Sequence, residues 1–179
     1  PIEKAAASPR MITVRAATSD NAALWRTLRR DGIERYPSAF IVSLAEHDAI
    51  PETTDARRLA ASGRFLAFDG DTPIGLAGLN QNPIPRAAHR SEIGPFYVAP
   101  EAQGSGTAAA FMEALTDHAK TIGVWQLEPV ANEDNSRAIA FHKGFGFHQA
   151  GRMPNAILGA DGLEHDLTMI KELPHTLGP

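Results

Sequence analysis

Apolar positions recur every three or four residues between 111 and 122. Phe111, Met112, Leu115, Ala119 and Ile122 share one helical face, while Glu113, Asp117 and Lys120 point elsewhere, and Gly123 is a natural stop. Upstream, Ser91 to Val98 reads as a strand. Between strand and helix lies the tight turn Gln103-Gly104-Ser105-Gly106-Thr107. A second strand follows at Val124 to Val130, so the unit predicts a right-handed parallel crossover.

The remaining pattern fills in around this unit. A first strand is expected at Ile12 to Arg15. A helix capped by Ser19 or Asp20 follows, with Leu24, Trp25 and Leu28 as its stripe and an end near Gly32. Tyr36 to Ala49 carries apolar patches without a clear period, a loop or short helix lining a cleft. Another helix begins after Pro51 and ends at Gly63. Phe65 to Phe68 and Ile74 to Leu79 form a hairpin about Asp69-Gly70-Asp71-Thr72. Asn80 to Arg90 is a long loop with Pro83 and Pro85. Asn135 or Ser136 caps a short helix closed by Gly146, and Phe147 to Leu158 with Glu164 to Lys171 makes a final hairpin. This is one α+β domain with a mixed sheet over residues 12–173, preceded by a loose arm at 1–11 and followed by a frayed tail at 174–179.

Composition removes several function classes. The 179 residues carry a formal net charge of −4, which argues against a nucleic-acid partner and suits a cationic or amine-bearing one. With no cysteine, disulfides, zinc–thiolate sites and a cysteine nucleophile are excluded. The histidines lack metal-ligand spacing, so no metal is expected. No apolar run is long enough to span a membrane, and the N-terminus lacks the apolar core of a signal peptide. A soluble cytoplasmic protein without a membrane partner is the expectation, and a homodimer is left open.

Two features point to a ligand. The glycine-rich turn aims backbone N–H groups and the positive end of a helix dipole at one spot, which suits a phosphate; the hydroxyls of Ser105 and Thr107 would add donors. It matches neither the P-loop, lacking Gly-Lys-Ser/Thr, nor the dinucleotide fingerprint, lacking the third glycine. Pro95 and Pro129 lie inside the two strands expected to pair in parallel. Neither donates a ladder hydrogen bond, so the strands should splay and leave a gap that an extended ligand with its own amides would fill. A plain tight turn and simple bulges remain the alternatives.

The segment Val98-Ala99-Pro100-Glu101-Ala102-Gln103-Gly104-Ser105-Gly106-Thr107-Ala108 resembles the acetyl-CoA-binding signature of the GNAT acetyltransferase superfamily. Asn135-Ser136-Arg137-Ala138-Ile139-Ala140-Phe141-His142-Lys143-Gly144-Phe145-Gly146-Phe147 resembles its second block, and the order of elements fits from residue 12 to 171. The resemblance implies a mostly antiparallel sheet of six to seven strands, about four flanking helices and a splayed parallel pair. It further implies acetyl-CoA as cosubstrate. Its pyrophosphate would be held by Gln103, Gly104, Ser105, Gly106, Thr107 and Ala108, and its pantetheine arm by the main chain of Phe96, Tyr97 and Val98, with Asn135 across the gap. The Val98 N–H would polarise the thioester carbonyl, and Lys143 would approach the nucleotide phosphates.

Two residues are catalytic candidates. Many relatives carry a tyrosine where this chain has His142; an imidazole titrating near neutrality would protonate the departing thiolate, the alternative being a buried histidine hydrogen-bonded to backbone. Glu92, six residues before Val98 and so on the same strand face, resembles the general base of several branches, the alternative being a solvated or ion-paired carboxylate. His165-Asp166 and Tyr36-Pro37-Ser38-Ala39-Phe40 are candidates for the acceptor wall. The expected reaction is transfer of acetyl from acetyl-CoA to a primary amine, that of a small molecule, by direct attack. The alternatives are a protein or peptide acceptor, a non-catalytic acyl-CoA-binding module and an unrelated nucleotide-binding module.

Overall fold

The computed structural model describes residues 10–176. Seven strands form one sheet in the order β1-β2-β3-β4-β5-β7-β6: β1 (Ile12–Ala16), β2 (Arg64–Asp69), β3 (Thr72–Gln81), β4 (Arg90–Val98), β5 (Gln126–Asn132), β6 (His148–Gly159) and β7 (Gly162–Glu172). Every pairing is antiparallel except β4 with β5. Helices α1 (Ala22–Arg35), α2 (Leu44–Ala49) and α3 (Glu52–Ala60) cover one face; α4 (Thr107–Thr121) and α5 (Ser136–Gly144) cover the other.

Each face has its own apolar layer. Phe111, Met112, Leu115 and Ala119 of α4 pack on Ala77, Leu79, Ile93, Leu127 and Met169. Trp25, Leu28 and Ile33 of α1 pack with Leu59, Leu66, Leu76 and Tyr97 on the opposite side. Alternation along each strand therefore assigns every side chain to the α1 side or the α4 side.

Among the described residues, five α-helices form where about four were expected. The additional one, α2, is too short to show a period, and its sequence mark is a capping box: Ser43 accepts from the Glu46 N–H while Glu46 accepts from the Ser43 N–H. Helix α1 continues through Gly32 instead of ending there. A Cβ at Gly32 would stand 2.8 Å from Phe40 and 3.0 Å from Tyr97, so this glycine is selected for close packing. The expected loop from Asn80 shortens because β3 runs on to Gln81.

The described ends of the chain are anchored. Met11 N–H donates to Asp69 at 3.0 Å. His175, in the segment expected to fray, stacks its ring on Trp125 with centroids 3.8 Å apart. The rest of the arm and tail, 1–9 and 177–179, lies outside the described residues.

Candidate active site

β4 and β5 pair only from Arg90↔Gln126 to Ile93↔Pro129, after which the ladder stops and the strands part. The expected splay is present. On its other edge, β4 gains one residue over β3: Leu79 faces Ile93, while Ala77 faces Phe96. This bulge falls at Gly94-Pro95 and reverses the side-chain alternation.

Beyond the bulge, the hydrogen-bonding parity decides what faces the gap. Ala99 N–H donates to Ile74 O at 2.8 Å, so the 74:99 and 76:97 pairs exchange hydrogen bonds and the 75:98 and 77:96 pairs do not. The N–H and C=O groups of Phe96 and Val98 therefore point away from β3, into the gap. Tyr97 is turned the other way, which corrects its expected place beside the pantetheine arm. Its main chain serves β3, and its hydroxyl donates to Asp31 on α1.

The turn that follows is built as a cradle. Gly104 and Gly106 have φ of +76° and +90°, where an L side chain is strained. Among the described residues, the N–H groups of Gly104, Gly106, Ala108 and Ala109 have no partner, and they gather at the start of α4. The expected hydroxyl donors are committed within the turn. Ser105 donates to Ala102 O at 2.5 Å, so in its 2.7 Å contact with Thr107 the threonine is the donor. The cradle thus rests on main-chain groups, and these residues fit a pyrophosphate.

α5 approaches from the α4 side, with Phe141 5.9 Å from Phe96. Asn135 caps it by accepting from the Ala138 N–H at 3.0 Å. His142 is 7% exposed and lies at the edges of Phe141 and Phe147. Its Nδ1 is buried without a hydrogen-bond partner among the described residues, and burial lowers its pKa to about 4. The imidazole is therefore neutral at pH 7, neither titrating near neutrality nor held by backbone. Lys143 is exposed on α5. Sequence reasoning passed over its neighbour Arg137, whose guanidinium donates to Gln103 Oε1 at 2.5 Å; the partners are distant in sequence, and only the fold joins them.

Glu92 precedes the bulge, so it does not share the face of Val98. It pairs with Asn80, and its alternation with Ile93 places it on the α1 side with Tyr97. A Cβ at Gly94 would meet Glu92 Oε1 at 3.3 Å, so the carboxylate leans toward the bulge. Desolvation, and then the neighbouring Glu128, raise its pKa. Glu128 itself is held low by Arg90, which donates to it through Nε and Nη2.

The same parity places Glu128, Glu164 and Asp166 on the α1 side. His165 and Asp166 consequently point to opposite faces. The 36–40 segment crosses above: Tyr36 accepts from Gln103 Nε2 at 3.1 Å, and Ser38 donates to Glu164 at 3.0 Å. A cleft of about 330 Å³ lies where β3, β4 and β5 meet, lined by residues including Asn80, Asn82, Arg90, Glu92 and Glu128. Among the described residues, no cluster of His, Asp or Glu could hold a metal ion.

A splayed parallel pair beside a turn of unpartnered main-chain N–H groups is the architecture the sequence resemblance implied. Residues 22–147 match the family model described as the Acetyltransferase (GNAT) family. The chain belongs to that family. It is an acetyl-CoA-dependent N-acetyltransferase. An aminoglycoside N(6')-acetyltransferase type 1 from Stenotrophomonas maltophilia is 29% identical over 147 residues, covering 79% of this chain and 89% of that protein. A putative acetyltransferase from Salmonella typhimurium, solved with its cofactor acetyl-CoA, has a TM-score of 0.78 at 18% identity, covering 94% and 98% of the two chains. A putative acetyltransferase from Acinetobacter baylyi reaches 0.82 at 17% identity, covering 96% and 97%.

Proposed function

We propose that this GNAT enzyme acetylates a primary amine of a small cationic molecule, with the acceptor entering from the α1 side. The observation carrying this reading is the row of carboxylates on that side. Glu92, Glu164 and Asp166 have no cationic partner among the described residues, whereas Glu128 is neutralised by Arg90. Burial raises the Asp166 carboxyl, with Glu164 beside it adding to the shift. A protonated amine would relieve both. The aminoglycoside acetyltransferase relative gives the same direction, toward a small molecule with several amines.

Acetyl-CoA supplies the acetyl group as a thioester. The chain's own residues do the rest. Gly104, Gly106 and Ala108 hold the pyrophosphate by N–H groups, with Gln103, Ser105 and Thr107 shaping the turn. Phe96 and Val98 present main-chain groups to the pantetheine arm, Asn135 faces it across the gap, and the Val98 N–H donates to the thioester oxygen as charge develops there. Glu92 takes the proton that the amine loses on forming the amide, a task its raised pKa suits. The leaving sulfur would depart as a thiolate as its bond to the acetyl carbon breaks, and would take its proton from solvent. His142, neutral at pH 7, offers a ring N–H as hydrogen-bond donor to the sulfur. Lys143 adds positive charge near the nucleotide phosphates.

The test is thiol release from acetyl-CoA across aminoglycosides, polyamines, amino acids and peptides. The chain has no cysteine, so it contributes no thiol background. Release with multiply charged small amines is expected. Release only with peptides would move the acceptor to proteins, and tight acetyl-CoA binding with no release for any acceptor would leave a binding module.

A further inference from the structure

The Gln103 side chain occupies a place the donor needs. Its Oε1 accepts from Arg137 at 2.5 Å, and its Nε2 donates to Val98 O at 3.3 Å and to the Tyr36 hydroxyl at 3.1 Å. The amide orientation follows from its partners, because a guanidinium only donates and a carbonyl only accepts. Val98 O is one of the main-chain groups that parity turns into the gap, so Gln103 satisfies it from the side where an amide-bearing arm would lie. Arg137 meanwhile spends its charge on a neutral amide; no carboxylate pairs with it among the described residues, although it sits at the mouth of a phosphate cradle.

We propose that Gln103 and Arg137 form a latch across the mouth of the splay that the donor opens by exchange. Arg137 passes from the Gln103 amide to a phosphate oxygen of the CoA nucleotide. Gln103 in turn gives up Val98 O, which becomes free for an N–H of the pantetheine arm, and gives up Tyr36. Because Tyr36 opens the segment that roofs the α1 side, donor binding is thereby coupled to the acceptor wall. The exchange is favourable for Arg137, since a charge-assisted bond to phosphate replaces a bond to a neutral acceptor. The inference rests on acetyl-CoA as donor and makes no use of Glu92 or His142.

Calorimetric titration of acetyl-CoA and of S-acetylpantetheine, which lacks the nucleotide phosphates, tests both halves. Arg137→Gln is expected to weaken acetyl-CoA about tenfold, to flatten its salt dependence and to leave S-acetylpantetheine within about twofold; Arg137→Lys should recover part of the loss. Gln103→Ala should tighten S-acetylpantetheine severalfold, because the competing side chain is gone. Equal effects of Arg137→Gln on the two ligands, or none on either, would overturn the phosphate contact. Unchanged or weaker S-acetylpantetheine binding in Gln103→Ala would overturn the latch. Arg137 is exposed on α5, and an unchanged melting temperature confirms that its variants are folded. A wild-type protein that binds no acetyl-CoA would instead remove the donor assignment itself.

Discussion

Asn80 Nδ2 donates to the carbonyl of Gly94 at 2.8 Å, side chain to main chain, where β4 takes its additional residue. Asn80 Oδ1 accepts from Arg64 Nη2 at 2.5 Å, and Arg64 also donates to Leu79 O. The approach is possible because residue 78 is glycine: a Cβ there would stand 2.9 Å from both Arg64 Cδ and Gly94 O. Arg64, Asn80 and Gly78 together hold the bulge that turns Glu92 to the α1 side while Phe96 and Val98 serve the gap. Asn80→Ala should lower stability by about 1–3 kcal/mol, the usual net loss of two hydrogen bonds. It should also reduce kcat/KM for the amine about tenfold by displacing Glu92, without changing the Kd for acetyl-CoA. Denaturant unfolding, steady-state kinetics and calorimetry read the three quantities.

Glu92 carries a raised pKa in the folded protein, so the fold binds its proton more tightly than the unfolded chain does. The sign follows: its contribution to stability is greatest below the ordinary carboxyl value and declines as pH rises through the folded value. Glu92→Gln should therefore be more thermostable than wild type at pH 7, and the advantage should vanish toward pH 4. Activity should move oppositely, falling about a hundredfold with loss of the acidic limb of the kcat/KM profile. An unchanged acidic limb would remove Glu92 from the proton transfer.

For His142 the sign is reversed. A pKa lowered to about 4 by burial means that the unfolded chain binds the proton more tightly. Stability contributed by neutral His142 is complete above the ordinary histidine value and is lost as pH falls from about 6.5 toward 4, by on the order of 1–3 kcal/mol. His142→Phe should flatten this decline in denaturant titrations at stepped pH. The N–H donor role predicts a reduced kcat across the pH range, with no titration near pH 6.5.

These predictions differ in how visible their residues were in the sequence. The cradle, the crossover and the splay were legible because glycine spacing, helical period and the two prolines are local signals. The face of Glu92 was not. Counting six residues to Val98 assumes an unbroken alternation, and the bulge that breaks it exists only in the register with β3. Tyr97 was misplaced because main-chain groups alternate in direction along a strand, so it cannot face the gap together with both Phe96 and Val98. Arg137 was missed because its partner Gln103 is distant in sequence. The hydroxyls of Ser105 and Thr107 look available in a linear reading, yet the turn folds them onto each other.

Gly32 makes a stability prediction of opposite sign to helix propensity. Alanine in the interior of a helix is ordinarily favoured over glycine by about 1 kcal/mol. Here the added Cβ would lie 2.8 Å from Phe40 Cζ and 3.0 Å from Tyr97 Cγ. Overpacking of this kind costs about 1–3 kcal/mol, so Gly32→Ala should be net destabilising in urea unfolding. A stabilised variant would mean that Phe40 moves aside freely.

Gly106 separates conformational strain from donor binding. It adopts φ of +90° at the start of α4, and a Cβ there would meet nothing within 4 Å. Gly70, in the β2–β3 turn, also has positive φ, +59°, and equally open surroundings. Substituting alanine at either position therefore adds no clash, and both variants should lose about 1–2 kcal/mol to left-handed backbone alone. Their effects on the donor should diverge. The Gly106 N–H is one of the groups assigned to the pyrophosphate, and relaxation of φ at this position re-aims the neighbouring N–H groups of Gly104 and Ala108 as well. Gly106→Ala should weaken acetyl-CoA at least about tenfold, as for loss of one or two charge-assisted hydrogen bonds. Gly70→Ala should bind acetyl-CoA like wild type. Equal donor affinity in the two variants, at equal loss of stability, would show that the turn does not hold the pyrophosphate through its main chain.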